Sequence, residues 1–190
     1  MEKRLLAIFA VILTCAQLYS QTTESSHRFE VGAGASAFGI LGTVGGIGQD
    51  FGINVFSEYR YELSDHFDIG AKIDYKYRTG ETSDPPVKSF NIHQLGLKLL
   101  SDFKICPKRK VCPYIGLGLG VGDGILAATD NTTDEFIGLL TPRVGIQIKK
   151  HLRIAIELDY ATTFDGHSLF NGDGFDDLWS AKALNISWTF

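Results

Sequence analysis

The sequence lacks the features that mark helical membrane proteins and nucleic-acid-binding proteins. No apolar run approaches the ~20 residues that a membrane-spanning helix needs, so entry into a membrane would require a closed barrel of strands. No basic tract is long enough to indicate nucleic-acid binding, and the formal net charge is only −4. Met and Pro are also scarce, with one and five among 190 residues.

Glycine, aromatic and other apolar residues are plentiful instead. The chain has 21 Gly, 12% aromatic and 44% hydrophobic residues. This composition is too apolar for a disordered chain, and it favours strands joined by turns. The length is that of one domain or at most two small ones.

The first 20 residues are typical of a secretory signal. Lys3 and Arg4 precede an apolar core of 12 residues, "LLAIFAVILTCA", and the following "LYSQTT" predicts cleavage after Ser20. We therefore expect a cleaved signal peptide at residues 1–20 and one domain at 21–190. A lipoprotein attached at Cys15 is the alternative, although Thr14 stands where such proteins have a small Gly or Ala.

Two cysteines remain after the signal peptide is removed. Cys106 and Cys112 flank the basic segment "PKRKV", and in an exported chain such close cysteines predict a disulfide that closes a hairpin. A metal site would need further ligands, and no His lies nearby. The basic segment itself could contact peptidoglycan or a phosphate, but such runs are usually just solvated.

Apolar and polar residues alternate in eight segments, which predicts an all-β fold. In the clearest segment, "FDIGAKIDYKY", Phe67, Ile69 and Ile73 alternate with Asp68 and Lys72. The eight predicted strands lie at residues 28–38, 53–63, 67–77, 93–105, 114–122, 141–149, 152–160 and 178–190. Each has about the 9–11 residues with which a tilted strand crosses a bilayer.

The segments between these strands alternate in length. Short connections are predicted at residues 64–66, 106–112 and 149–151, and longer ones at 39–50, 78–89, 123–135 and 161–177. Both termini and all short turns would then lie at one end. This is typical of an antiparallel up-and-down barrel of eight strands.

The two faces of the strands carry different chemistry. Aromatic residues gather near strand ends on the apolar face, as in the interfacial girdles of a membrane barrel: Tyr59, Tyr61, Phe67, Tyr75, Tyr77, Phe103, Tyr160, Trp188 and Phe190. The polar face carries both charge signs. A narrow lumen would pair its charges as a salt-bridged plug, for which we predict Glu30, Glu58, Arg60, Lys72, Asp74, Lys98, Arg143, Glu157 and Asp159. A soluble lipocalin-like carrier, apolar inside and polar outside, is the alternative.

The glycines of "GLGLGVGDG" imitate a phosphate-binding loop. A dinucleotide-binding turn needs a strand before it and a helix after it, whereas these glycines alternate with Leu and Val through a strand. We expect Gly116, Gly118, Gly120 and Gly122 to face the lumen and leave room for long side chains.

The signal peptide, the eight strands and the last strand "ALNISWTF" together resemble small bacterial outer-membrane barrels of the OmpA/OmpX type, in particular those of Bacteroidota. The resemblance implies a cell outer-membrane location, contact with outer-membrane lipids and a monomer. It also implies an assembly signal at Leu184, Ile186, Trp188 and Phe190, read by the barrel-assembly machinery. The expected function is a structural, surface-interaction or narrow-channel role, with no cofactor, catalytic residue, metal or nucleic acid.

Two further possibilities depend on single features. A lipid-modifying enzyme could use His93, but the sequence "HQL" carries no Ser two residues on. The acidic segment from Asp165 to Asp177 resembles a loose calcium-binding turn, yet its spacing does not match an EF-hand, so a solvated loop is expected.

Overall fold

Eight β-strands form the protein in a computed structural model. The structure describes residues 26–38, 47–82, 89–128, 131–163 and 176–190. The strands are β1 (His27–Phe38), β2 (Ile47–Ser64), β3 (Phe67–Thr82), β4 (Ser89–Lys104), β5 (Val111–Ala128), β6 (Asn131–Ile148), β7 (Leu152–Thr163) and β8 (Asp176–Thr189). No helix in these residues is long and apolar enough to cross a membrane.

The strands close into a barrel in chain order, as the alternation predicted. Each strand pairs antiparallel with the next, and β1 pairs with β8 to complete the ring. The closing seam runs from Glu30 opposite Thr189 to Ala37 opposite Lys182. Closure satisfies the backbone hydrogen bonds of every strand without leaving a free sheet edge.

The strands are longer than predicted, and one predicted loop is absent. The middle strands have 16 or 18 residues, because β2 to β6 extend beyond the alternating segments. The ladder of β5 and β6 continues to Ala128 opposite Asn131, so the expected long connection at 123–135 is wrong. Backbone pairing needs only a partner strand, and it continues where the apolar pattern stops.

The barrel is polar inside and apolar outside. Leu99 and Leu119 are 70% and 62% exposed on the outer wall. Lys72 and Lys98, which point into the lumen, are fully buried. The nine aromatic residues predicted for the girdles also point outward and are at least partly exposed. The lipocalin-like alternative, which needs the opposite arrangement, is therefore wrong.

The two ends of the barrel differ. The turn end holds the start of β1, the end of β8 and the connections 65–66, 105–110 and 149–151. The loop end holds the ends of β1, β3, β5 and β7, which the segments 39–46, 83–88, 129–130 and 164–175 join to the next strand. Lengths at the two ends overlap, so the strict alternation of short and long connections is not observed.

Two sequence predictions fall outside the described residues. The signal peptide at 1–20 is one of them. The other is the acidic segment, of which only the strand backbone at Asp176 and Asp177 is described.

Candidate functional site: the lumen and its mouth

Three arginines and three carboxylates form the first layer of the lumen above the turn end. We call Arg60, Arg143, Arg153, Glu30, Glu58 and Asp102 the arginine layer; all are buried. Asp102 is its centre, because Oδ2 accepts hydrogen bonds from Arg60 at 2.7 Å, Arg143 at 2.8 Å and Arg153 at 2.6 Å. Its Oδ1 accepts a further bond from Arg143 Nε at 2.7 Å.

Each arginine of this layer also contacts other partners. Arg143 donates to both oxygens of Glu58 at 2.9 Å, and Arg153 donates to Glu30 at 3.2 Å. The Arg153 guanidinium lies 3.9 Å from the ring centre of the buried Tyr114. Pairing of this kind offsets the cost of removing charges from water.

A second layer, built on lysines, lies towards the middle of the barrel. This lysine layer comprises Lys72, Lys76, Lys98, Asp74, Glu157 and Asp159. Lys72 Nζ donates to both Glu157 oxygens at 2.9 and 2.7 Å and lies 3.8 Å from the Phe56 ring. Lys98 Nζ bridges Asp74 at 2.9 Å and Asp159 at 2.8 Å.

An apolar layer fills the lumen towards the loop end. It consists of Phe90, Ile92, Ile137, Leu139 and Ala161, all buried, with Leu126 packed against them. These side chains occupy inward-facing positions of their strands, as the charged residues closer to the turn end do. The described lumen thus contains two charged layers and one apolar layer, together with further buried polar side chains such as Asn54, Arg78 and Gln94.

All nine charged residues predicted for the lumen lie buried in the arginine and lysine layers. Sequence reasoning missed several partners: Asp68, Lys76, Asp102, Lys104 and Arg153. The alternation of apolar and polar residues did place Asp102 on the polar face of its strand. Its central position depends on side chains from three other strands, which parity does not reveal.

The strand-5 glycines face the lumen, which confirms their predicted orientation. A Cβ at Gly116 would overlap the Asp102 carboxylate and lie 2.7 Å from the carbonyl oxygen of Ser101. A Cβ at Gly118 would overlap the Leu100 side chain and lie 3.2 Å from Thr141 Cβ. The glycines therefore leave the space that the arginine layer and its neighbours occupy.

Comparison with known families identifies the family of this barrel. The family model described as the outer membrane protein beta-barrel domain matches residues 7–190. The chain belongs to this outer-membrane barrel family. It is accordingly a protein of the outer membrane.

Comparison with solved structures finds several outer-membrane barrels. OprG of Pseudomonas aeruginosa superposes with a TM-score of 0.51 at 12% identity, covering 87% of this chain and 96% of that one. The N-terminal barrel domain of Pseudomonas aeruginosa OprF has a TM-score of 0.49 at 14% identity, with 87% and 98% covered. Ail of Yersinia pestis has a TM-score of 0.44 at 15% identity, with 86% and 97% covered. No curated protein sequence matches significantly.

The turn end of this outer-membrane barrel opens into a cavity of about 520 Å³, which we call the mouth. Lys104 Nζ binds Glu62 at 2.7 Å and Asp68 at 3.0 Å in its floor, and Arg28 binds Glu62 at 2.5 Å at its side. Its wall carries the basic residues of the connections 105–110 and 149–151. Charged groups of the lumen thus meet solvent at the mouth.

The predicted disulfide at the mouth is not present. Cys106 and Cys112 are free thiols, partly buried and buried respectively. Backbone hydrogen bonds already close this hairpin, from Ile105 N to Pro113 O at 2.9 Å and from Arg109 N to Cys106 O at 3.1 Å. Closeness in sequence made a disulfide possible, but the hairpin does not depend on one.

Both thiols should therefore be alkylated without a reductant. We expect mass spectrometry of the non-reduced protein, unfolded in iodoacetamide, to find Cys106 and Cys112 both modified. In the folded barrel, Cys106 should react first because Cys112 is 4% exposed. A Cys106→Ser variant gives the single-label reference, and a species that takes label only after reduction would contradict the free-thiol assignment.

His93 lies on the outer wall near the loop end. Its Nδ1 contacts the Tyr75 hydroxyl at 2.7 Å, and its ring lies 5.1 Å from that of Tyr77. Both tyrosines point outward on the neighbouring strand, and no serine takes part in this contact. The arrangement is that of an interfacial aromatic cluster.

Proposed function

We propose that the chain is an integral outer-membrane barrel with a closed lumen, which serves a structural or surface-interaction role rather than conducting solutes. The observation that carries the proposal is the burial inside the barrel of the side chains of the arginine, lysine and apolar layers. An eight-stranded barrel has an interior just wide enough for its side chains. The inward-facing side chains of this protein lie in that interior.

Charge pairing supports a closed lumen. The buried cations among the described residues are Arg60, Lys72, Lys76, Arg78, Lys98, Lys104, Arg143 and Arg153, and the buried anions are Glu30, Glu58, Asp68, Asp74, Asp102, Glu157 and Asp159. The two signs nearly balance. A solute passing this region would have to separate ion pairs without water to replace them, which is costly.

The connections at the loop end favour a surface role. We assign the loop end to the cell exterior and the turn end to the periplasm, since outer-membrane barrels place short turns in the periplasm. The loop-end tips of β1, β3 and β7 would then face the surroundings, and each is joined to the next strand by one of the segments 39–46, 83–88 and 164–175. Their length exceeds what joining neighbouring strands requires.

We propose no enzymatic activity. Catalysis of lipid modification would need a nucleophile beside a general base, and the His93 imidazole is instead paired with the Tyr75 phenol. A normal lipid profile in cells carrying His93→Ala is the result this proposal expects.

Assembly and partners also belong to the proposal. Outward-facing Leu184, Ile186, Trp188 and Phe190 are each 41–52% exposed on the last strand and would offer the barrel-assembly machinery its signal. The same apolar wall would contact outer-membrane lipids, and the barrel would be a monomer. The resemblance of the last strand to those of Bacteroidota barrels supports the proposal that the chain belongs to that subgroup.

Conductance tests the closed lumen. Refolded wild-type barrel in a planar lipid bilayer should show no discrete openings, whereas a 16-stranded porin, which encloses an aqueous channel, should open under the same conditions. Membrane fractionation and heat-modifiable migration on gels should establish that the sample tested is the folded barrel. Reproducible unitary openings of that sample would exclude the closed-lumen proposal and favour a narrow channel.

A further inference from the structure

The mouth at the turn end carries far more positive than negative charge. Its wall presents Lys108, Arg109 and Lys110 from one connection and Lys149 and Lys150 from another. We call these five residues the basic wall. Only two carboxylates, Glu62 and Asp65, line the same cavity in the part of the chain that the structure describes.

Most of this positive charge is uncompensated. Glu62 is already shared by Arg28 at 2.5 Å and Lys104 at 2.7 Å. Within the described ranges, no ion pair links the basic wall to a carboxylate. This contrasts with the lumen above it, where the buried lysines and arginines of both charged layers have acidic partners.

The two connections that carry the basic wall are held together. Lys149 N donates a hydrogen bond to Lys110 O at 2.6 Å, and Gln147 Nε2 donates to Lys149 O at 3.1 Å. Lys149 adopts a left-handed backbone conformation with φ of 54°, which usually favours Gly or Asn. The turns therefore hold two basic runs side by side, against the repulsion between their charges.

We propose that the mouth binds a phosphate group between these two turns. A phosphate supplies several acceptor oxygens and concentrated negative charge, which suits a site with both Arg and Lys donors. A cavity of about 520 Å³ has room for a phosphorylated small molecule or a lipid headgroup, and is too small for a folded protein domain.

The phosphate has two possible sources, a soluble periplasmic compound or an anionic lipid of the inner leaflet. Outward-facing aromatic rings lie at the same end: His66 stacks on Phe103 at 5.8 Å, and His151 stacks on Trp188 at 5.6 Å. Such rings sit at headgroup depth in membrane barrels. Lipid phosphates would thus lie level with the basic wall.

Binding measurements on the refolded barrel test the site. One arm titrates pyrophosphate into the protein in a neutral maltoside detergent, by calorimetry. The other measures retention of phosphatidylglycerol relative to phosphatidylcholine by native mass spectrometry. Both compare wild type with the triple variant K108Q/R109Q/K110Q and the double variant K149Q/K150Q. K182Q, a lysine change near the loop end, is the matched control.

We expect wild type to bind in at least one arm, and each basic-wall variant to bind roughly 10–100-fold more weakly, while K182Q binds as wild type does. Loss confined to pyrophosphate assigns a soluble phosphate compound, and loss of phosphatidylglycerol retention assigns the lipid. Equal binding by wild type and variants, or absence of binding in both arms, would overturn the proposal. None of these readings depends on whether the lumen conducts.

Discussion

Replacing Asp102 with Asn should lower the free energy of unfolding by about 3–5 kcal/mol, the usual cost of removing one partner from a buried charge cluster. The Asp102 carboxylate accepts hydrogen bonds from Arg60, Arg143 and Arg153. The side chain of Asn keeps the shape, but loses the negative charge and turns an NH₂ group toward guanidinium donors. Three buried cations would then lie together with too little negative charge between them.

The measurement is urea-induced unfolding of the refolded barrel in lipid vesicles, followed by its heat-modifiable gel shift. Asp65→Asn is the matched control, since Asp65 is exposed at the turn end, and it should change stability by less than about 0.5 kcal/mol. Adding R153Q to D102N removes one stranded cation, so the double variant should be more stable than the sum of the two single effects predicts. Wild-type stability for D102N would show that the layer does not depend on this carboxylate.

Replacing Gly118 with Leu should prevent normal barrel closure. A Cβ at this position overlaps Leu100 and crowds Thr141, and a leucine adds three further carbons inside a filled lumen. Overpacking by extra methylene groups costs typically about 1–3 kcal/mol, and here the surrounding wall is a closed ring that cannot expand locally.

Folding yield after dilution from urea into detergent measures this effect. The neighbouring Leu119→Val is the control, because Leu119 is 62% exposed on the outer wall and valine remains apolar. We expect a sharp drop in folded material for Gly118→Leu and a yield near wild type for Leu119→Val. Efficient folding of Gly118→Leu would mean that the lumen beside strand β5 has more space than the glycine contacts indicate.

Alternation along single strands predicted the barrel and the side each residue faces. It succeeded because lipid and lumen impose opposite polarity on successive residues, so the pattern is local. The choice of partners inside the lumen is not local. Asp102 meets residues 41 and 51 positions away in the sequence, and only the register and tilt of the closed barrel bring them together.

The sequence was least informative where strands leave the apolar band. The extensions of β5 and β6 carry the exposed outward-facing Asp123 and Asp134, so the apolar signal disappears although the ladder continues. The predicted disulfide between Cys106 and Cys112 was wrong for a related reason. Spacing tells whether two thiols can meet across a hairpin, but the bond itself depends on geometry that spacing does not determine.

Several polar contacts of the lumen form only when the closing seam between β1 and β8 forms. Glu30 lies on β1, while Arg153 and Ser187, which bind it at 3.2 and 3.1 Å, lie on β7 and β8. The Asn54 amide of β2 likewise reaches Asn185 of β8 at 2.7 Å. These bonds form only when the first and last strands meet, so a partly closed sheet keeps unpaired charges that favour water. The hydrogen bonds across the seam therefore stabilise only the closed barrel. We expect insertion into the membrane and closure of the barrel to occur as one cooperative event.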